Sequence, residues 1–81
     1  MLSEIVALVA RLAPQPCDAA RVTPAAELIR DLGFDSVRVV ELLLEVEKGF
    51  SVTLETEALL DGPPLSVGAL AVTVARARAA P

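Results

Sequence analysis

Apolar residues recur along this chain at helical spacing, and prolines and glycines cut the pattern into segments. In the first segment, Leu2, Ile5, Val6, Val9 and Leu12 follow the three-and-four spacing of a buried stripe, with Glu4 and Arg11 off it. The spacing predicts helix one over residues 3 to about 13, with Ser3 as N-cap and Pro14 and Pro16 ending it. A connection over residues 14–35 follows. Pro14, Pro16 and Pro24 make it irregular, and Val22, Leu28, Ile29 and Leu32 are its expected anchors. A loop this long in a small domain points to a function. Thr23-Pro24 has the form of a helix start, so a short helical turn is expected over residues 25–30.

Helix two is predicted over residues 36 to about 48, with Gly49 placed to stop it. Val39, Leu42, Leu43 and Val46 share one face and should pack inward. Arg38, Glu41, Glu45 and Lys48 form an outward charged stripe. Between the two lies a flank of Val37, Val40 and Leu44, wider than one core needs. It either packs on the next helix or marks a partner surface. Phe50, Val52 and Leu54 then alternate with polar residues. A lone strand here has no partner, so the segment reads as an extended connection aiming apolar side chains at the core. A short helix three is expected over residues 56–60, and Asp61-Gly62-Pro63-Pro64 breaks the chain. Helix four starts at Ser66 as N-cap and runs toward Arg78. Val67, Leu70 and Val74 are buried, helped by Ala71 and Ala75, and the tail through Pro81 frays. The sum is an all-α single domain over residues 1–81: a small four-helix bundle with three main helices, a short third helix and a long first loop.

Composition narrows the chemistry. Of the 81 residues, 54% are hydrophobic, mostly Ala, Val and Leu, which argues for a packed core and against disorder. The formal net charge is -4, with no Trp or Tyr to stack on bases, so nucleic acid is a poor partner and proteins with basic surfaces are better ones. The chain has no His and a single Cys, Cys17, which excludes a clustered zinc or iron–sulfur site and an internal disulfide. Cys17 is expected to be an ordinary loop thiol, since no base stands by to activate it. The start, Met1-Leu2-Ser3-Glu4, has no basic region, and no apolar stretch reaches the ~20 residues that span a bilayer. The expectation is a cytoplasmic protein that does not enter the membrane.

The segment that carries chemistry is Asp31-Leu32-Gly33-Phe34-Asp35-Ser36. Gly33 permits a bend, and Asp35 or Ser36 could cap the helix that follows. Taken alone, Asp-Ser before an apolar run is an ordinary helix start. An exposed serine hydroxyl at the positive end of a helix is also a favourable home for a phosphodiester. A serine nucleophile would need a neighbouring base, and the sequence offers none. If Ser36 is functional, another enzyme acts on it. No carboxylate pair has a catalytic setting either: Glu41 and Glu45 read as a solvated stripe, and the chain is not expected to be an enzyme.

The run from Asp31 through Val37, followed by Val40-Glu41-Leu42 and Phe50, resembles the acyl carrier protein family. That family's recurring box is Asp-Leu-Gly-x-Asp-Ser-Leu leading into an acidic helix. The likeness extends to Val22-Thr23-Pro24 and Ser66-Val67 and so covers most of the chain. The resemblance implies that Ser36 receives 4′-phosphopantetheine from coenzyme A through a phosphopantetheinyl transferase, with Asp35 in the transferase's recognition surface. The arm's thiol would hold an acyl group as a thioester. Helix two would show it to acyl-loading, condensing or tailoring enzymes through Val37, Val40, Glu41, Leu44 and Glu47.

Val37 stands where the family commonly has Leu. Arg38 and Lys48 stand where it is more often acidic or neutral, leaving helix two near charge balance. These departures favour a dedicated carrier of polyketide-like or other specialised biosynthesis over a housekeeping fatty-acid carrier, with Arg38 and Lys48 as further partner-selecting positions. The chain is expected to be a freestanding carrier and a monomer. Phe34 before Asp35 favours acyl over aminoacyl cargo by family pattern. Two alternatives stay open: a peptidyl carrier of a nonribosomal pathway, and a helical interaction module in which Ser36 is only a cap.

Overall fold

The computed structural model describes residues 2–14 and 19–79 of the chain. The expected loop thiol Cys17 and the last two residues of the tail lie outside the described residues. Among the described residues four α-helices follow one another, α1 (Leu2–Leu12), α2 (Ser36–Phe50), α3 (Thr56–Asp61) and α4 (Val67–Ala79), with a 3₁₀ turn at Ala19–Arg21. Helix α1 packs against both α2 and α4, and the short α3 packs against α2. The all-α bundle expected from periodicity is what forms.

The core is aliphatic with one aromatic. Val39, Leu42, Leu43 and Val46 of α2 are all buried, as their spacing requires. They meet Ile5 and Val9 of α1 and Val67, Leu70 and Val74 of α4. Two expected stripe members fall outside it. Leu2 at the start of α1 is exposed, while Leu8 is half-buried in its place, and Ala75 of α4 is exposed while Ala77 packs on the core. Leu2 is the first residue of α1, at its very end, and Ala77, seven residues after Leu70, falls on the buried face of α4 whereas Ala75 falls well off it.

Helix boundaries differ from expectation in two places. Ser3 is the second residue of α1 and so lies inside the helix, not at its cap. Gly49 does not stop α2, which continues through it to Phe50. Termination falls instead on Ser51, whose φ of 54° and ψ of 47° put it in the left-handed region, with its N–H donating to Glu47 O. Glu47 closes the turn a second time. Its carboxylate Oε2 accepts from Leu54 N–H at 2.8 Å. The residues after Ser51 form no regular element, and they aim Leu54 into the core with Val52 half-buried, as the alternation there predicted.

The long first loop is pinned along the start of α4. Leu28 N–H donates to Leu65 O at 3.0 Å, Val67 N–H to Ala26 O at 2.9 Å, and Gly68 N–H to Pro24 O at 2.8 Å. An isolated antiparallel bridge joins Glu27 and Ser66 at the same place. This tertiary pairing takes up backbone groups that a helix over 25–30 would have used internally, and only turns form there. Val22, Ala26 and Leu28 are the buried anchors, Leu32 is half-buried, and Ile29 is 59% exposed, so Ile29 is not an anchor. Ser66 is the N-cap of α4 as expected, its Oγ accepting from Ala69 N–H at 3.1 Å.

Candidate attachment site at the start of α2

Each residue of the Asp31–Ser36 run does a distinct job. Asp31 closes the turn before the bend. Its Oδ2 accepts from Glu27 N–H at 2.8 Å, while its own N–H donates to Glu27 O at 2.9 Å. Gly33 takes a φ of +76°, a left-handed conformation that costs an ordinary residue roughly 1–2 kcal/mol. The reversal drives Phe34 into the core, where it is 2% exposed and its N–H donates to Leu28 O at 2.9 Å. Phe34 thus anchors the chain immediately before the site. This role went unassigned in the sequence, although an aromatic between a glycine and a capping acid was a visible signal.

Asp35 is the N-cap of α2. Its φ of -103° and ψ of 177° are extended, and its Oδ1 accepts from Arg38 N–H at 2.8 Å. With that cap taken by Asp35, Ser36 is left as the first helical residue, exposed to solvent. The capping role that competed for Ser36 therefore belongs to its neighbour. The serine hydroxyl sits at the positive end of a 15-residue helix, with first-turn N–H groups of α2 beside it. A phosphodiester fits there. The Asp35 carboxylate opposes it in charge, but both positions are exposed and screened by solvent.

Beyond Ser36, α2 presents an apolar strip edged with charge. Val37 is 64% exposed and Leu44 51% exposed, with Val40 half-buried and Glu41 exposed beside them. Helix α3 therefore leaves most of this flank uncovered. The charged positions divide. Lys48 Nζ lies 4.0 Å from Glu45 Oε1 in an exposed pair that contributes little. Arg38 Nη1 reaches Leu12 O at 3.5 Å, touching one of the carbonyls left unpaired at the end of α1. Glu47 is half-buried and committed to the turn at Leu54, so its carboxylate is engaged within the fold.

A half-open cleft of about 400 Å³ opens between the first loop, α2 and α3. Leu28, Val39, Leu59, Leu60 and Leu65 line it, with Arg30 among the wall residues. Val39 follows Ser36 by three residues and so lies on the same side of α2. The walls come from segments far apart in the chain, which is why no local pattern announced the cleft. Among the described residues no cluster of His, Cys, Asp or Glu could hold a metal, and no helix is long and apolar enough to cross a membrane.

An exposed serine at a helix start, beside an apolar strip and in a sequence with no histidine to activate it, is suited to modification by another enzyme. Comparison with known proteins agrees. The family model described as "Phosphopantetheine attachment site" matches residues 3–71. Curated acyl carrier proteins of Helicobacter pylori are similar over 40 residues: that of strain G27 is 52% identical and that of strain J99 50% identical. The acyl carrier protein of Helicobacter acinonychis is 48% identical over the same length. Each alignment covers 49% of this chain and 51% of the relative, so the chain matches about half the length of these curated proteins. No solved structure gives a significant match. The chain belongs to the acyl carrier protein family, the proteins built around a phosphopantetheine attachment site. Its members are carriers and not catalysts, and phosphopantetheine is the group they bear.

Proposed function

We propose that this chain holds an acyl intermediate as a thioester on a 4′-phosphopantetheine arm joined to Ser36, and presents it to the enzymes of a polyketide-like or other specialised pathway. The observation that carries the reading is the exposure of Ser36 at the first position of α2 while Asp35 does the capping. A hydroxyl not consumed by the fold is available to a transferase. When bound, the arm supplies a thiol at the end of a long flexible tether. The protein's own part is to hold Ser36 outward, offer the helix end to the phosphate and present the strip of Val37, Val40 and Leu44 to partners. Asp35 and Glu41 add negative charge to that surface, suited to a transferase and pathway enzymes with basic docking faces.

The near balance of charge on α2, with Arg38 and Lys48 against Glu41, Glu45 and Glu47, supports a dedicated set of partners over a general fatty-acid system. Within that group of charges, Lys48 and Glu41 are the better candidates for selectivity. Arg38 and Glu47 are tied to Leu12 O and Leu54 N–H. The reading makes the protein a cytoplasmic monomer, loaded by a phosphopantetheinyl transferase and served by acyl-loading, condensing or tailoring enzymes.

Incubation with coenzyme A and a broad-specificity transferase tests it. Intact mass should rise by one phosphopantetheine, and Ser36→Ala should gain nothing while folding normally by circular dichroism. A folded wild-type chain that stays unmodified with several transferases overturns the proposal.

A further inference from the structure

The cleft includes Val39, three residues along α2 from Ser36, and its wall is not wholly apolar. Arg30 lines it, is exposed, and has no ion pair or side-chain hydrogen bond among the described residues. The acids that could neutralise it locally do not. Asp31 beside it is committed to Glu27 N–H, and Glu27, the other charged residue of the wall, makes no ion pair with it despite standing three residues away. An unpaired guanidinium carried by a residue of an apolar cleft's wall is suited to a carboxylate at the far end of an aliphatic chain. The chain would be covered by Leu28, Val39, Leu59, Leu60 and Leu65 while its charged end stayed at the wet wall.

We infer that Arg30 is a specificity-determining residue, and that the cleft favours acyl cargo ending in a carboxylate over a neutral chain of equal length. The inference rests on Ser36 being the attachment point. Glu27 works against the preference, since its carboxylate shares the wall with the incoming charge.

The test loads the full chain, through a transferase, with two stable amide-linked coenzyme A analogues: octanoyl, and the eight-carbon chain with a terminal carboxylate. Thermal midpoints are then compared at low salt. The carboxylate-ended chain should melt about 1–8 °C above the octanoyl form, the span expected of one exposed charge pair in a domain this small. The gap should close at 1 M salt and in Arg30→Gln, and should widen in Glu27→Gln. Equal midpoints, or a higher midpoint for the octanoyl form, overturn the inference while leaving Ser36 attachment standing. Failure of both analogues to load refutes attachment itself, and the inference falls with it. A gap that persists unchanged in Arg30→Gln refutes the role of Arg30.

Discussion

Replacing Asp35 by alanine removes the one side-chain bond that caps α2, the 2.8 Å contact from Arg38 N–H to Asp35 Oδ1. Losing an N-cap of this type costs about 1 kcal/mol, within a range of roughly 0.5–2. In a domain of this size each kcal/mol moves the thermal midpoint by about 4–8 °C, so Asp35→Ala should melt about 4–8 °C lower than wild type. Asp35→Asn keeps an oxygen that can accept the same bond and loses only the attraction of the charge for the helix end, about 0.3–1 kcal/mol. Thermal denaturation followed by circular dichroism reads both numbers. The pair also separates the two roles given to Asp35. Loading of Ser36, followed by mass at a temperature where all variants are folded, should slow in both variants if the transferase reads the carboxylate. Unimpaired loading of Asp35→Asn would refute the recognition role. An unshifted midpoint in Asp35→Ala would refute the cap.

Two glycines predict opposite outcomes for one substitution. A Cβ at Gly49 would meet nothing within 4 Å, so Gly49→Ala should stabilise by about 0.5–1 kcal/mol through helix propensity, read as a higher urea midpoint with an unchanged slope. A Cβ at Gly68 would stand 3.0 Å from Pro24 O and 3.3 Å from Pro24 Cβ. That carbonyl is held by Gly68's own N–H, and the strain should outweigh the propensity gain, leaving Gly68→Ala less stable by about 1–3 kcal/mol in the same titration.

Much of the fold was legible because helices with one buried face write their period into the sequence. Val39, Leu42, Leu43 and Val46, or Val67, Leu70 and Val74, need no knowledge of their neighbours to be recognised as inward-facing. The breaks at Pro14 and at Asp61-Gly62-Pro63-Pro64 are equally local, as is the cap at Ser66. Boundaries were less secure, and Gly49 shows why. Its freedom to end a helix was readable, but the end came two residues later at Ser51, where the carbonyl and carboxylate of Glu47 close the turn through Ser51 and Leu54.

At the site, Ser36 could be singled out from its motif and from the absence of any histidine to activate it. Whether it was a cap or a free hydroxyl depended on which side chain reached Arg38 N–H, and that was decided by the backbone at Gly33 and the burial of Phe34. The first loop misled for a related reason. Thr23-Pro24 favours a helix locally, yet the backbone groups of Pro24, Ala26 and Leu28 pair with the start of α4 some forty residues away. The division follows from range. A pattern within one helix is set by bonds and contacts a few residues apart, so the sequence by itself determined the class of fold, the inward faces and the candidate serine. The cleft with Arg30 on its wall and the reach of Arg38 to Leu12 O depend on groups brought together from distant segments, while the release of Ser36 from capping and the commitment of Glu47 turn on which of several nearby groups the folded backbone lets meet. Only the tertiary structure decided those.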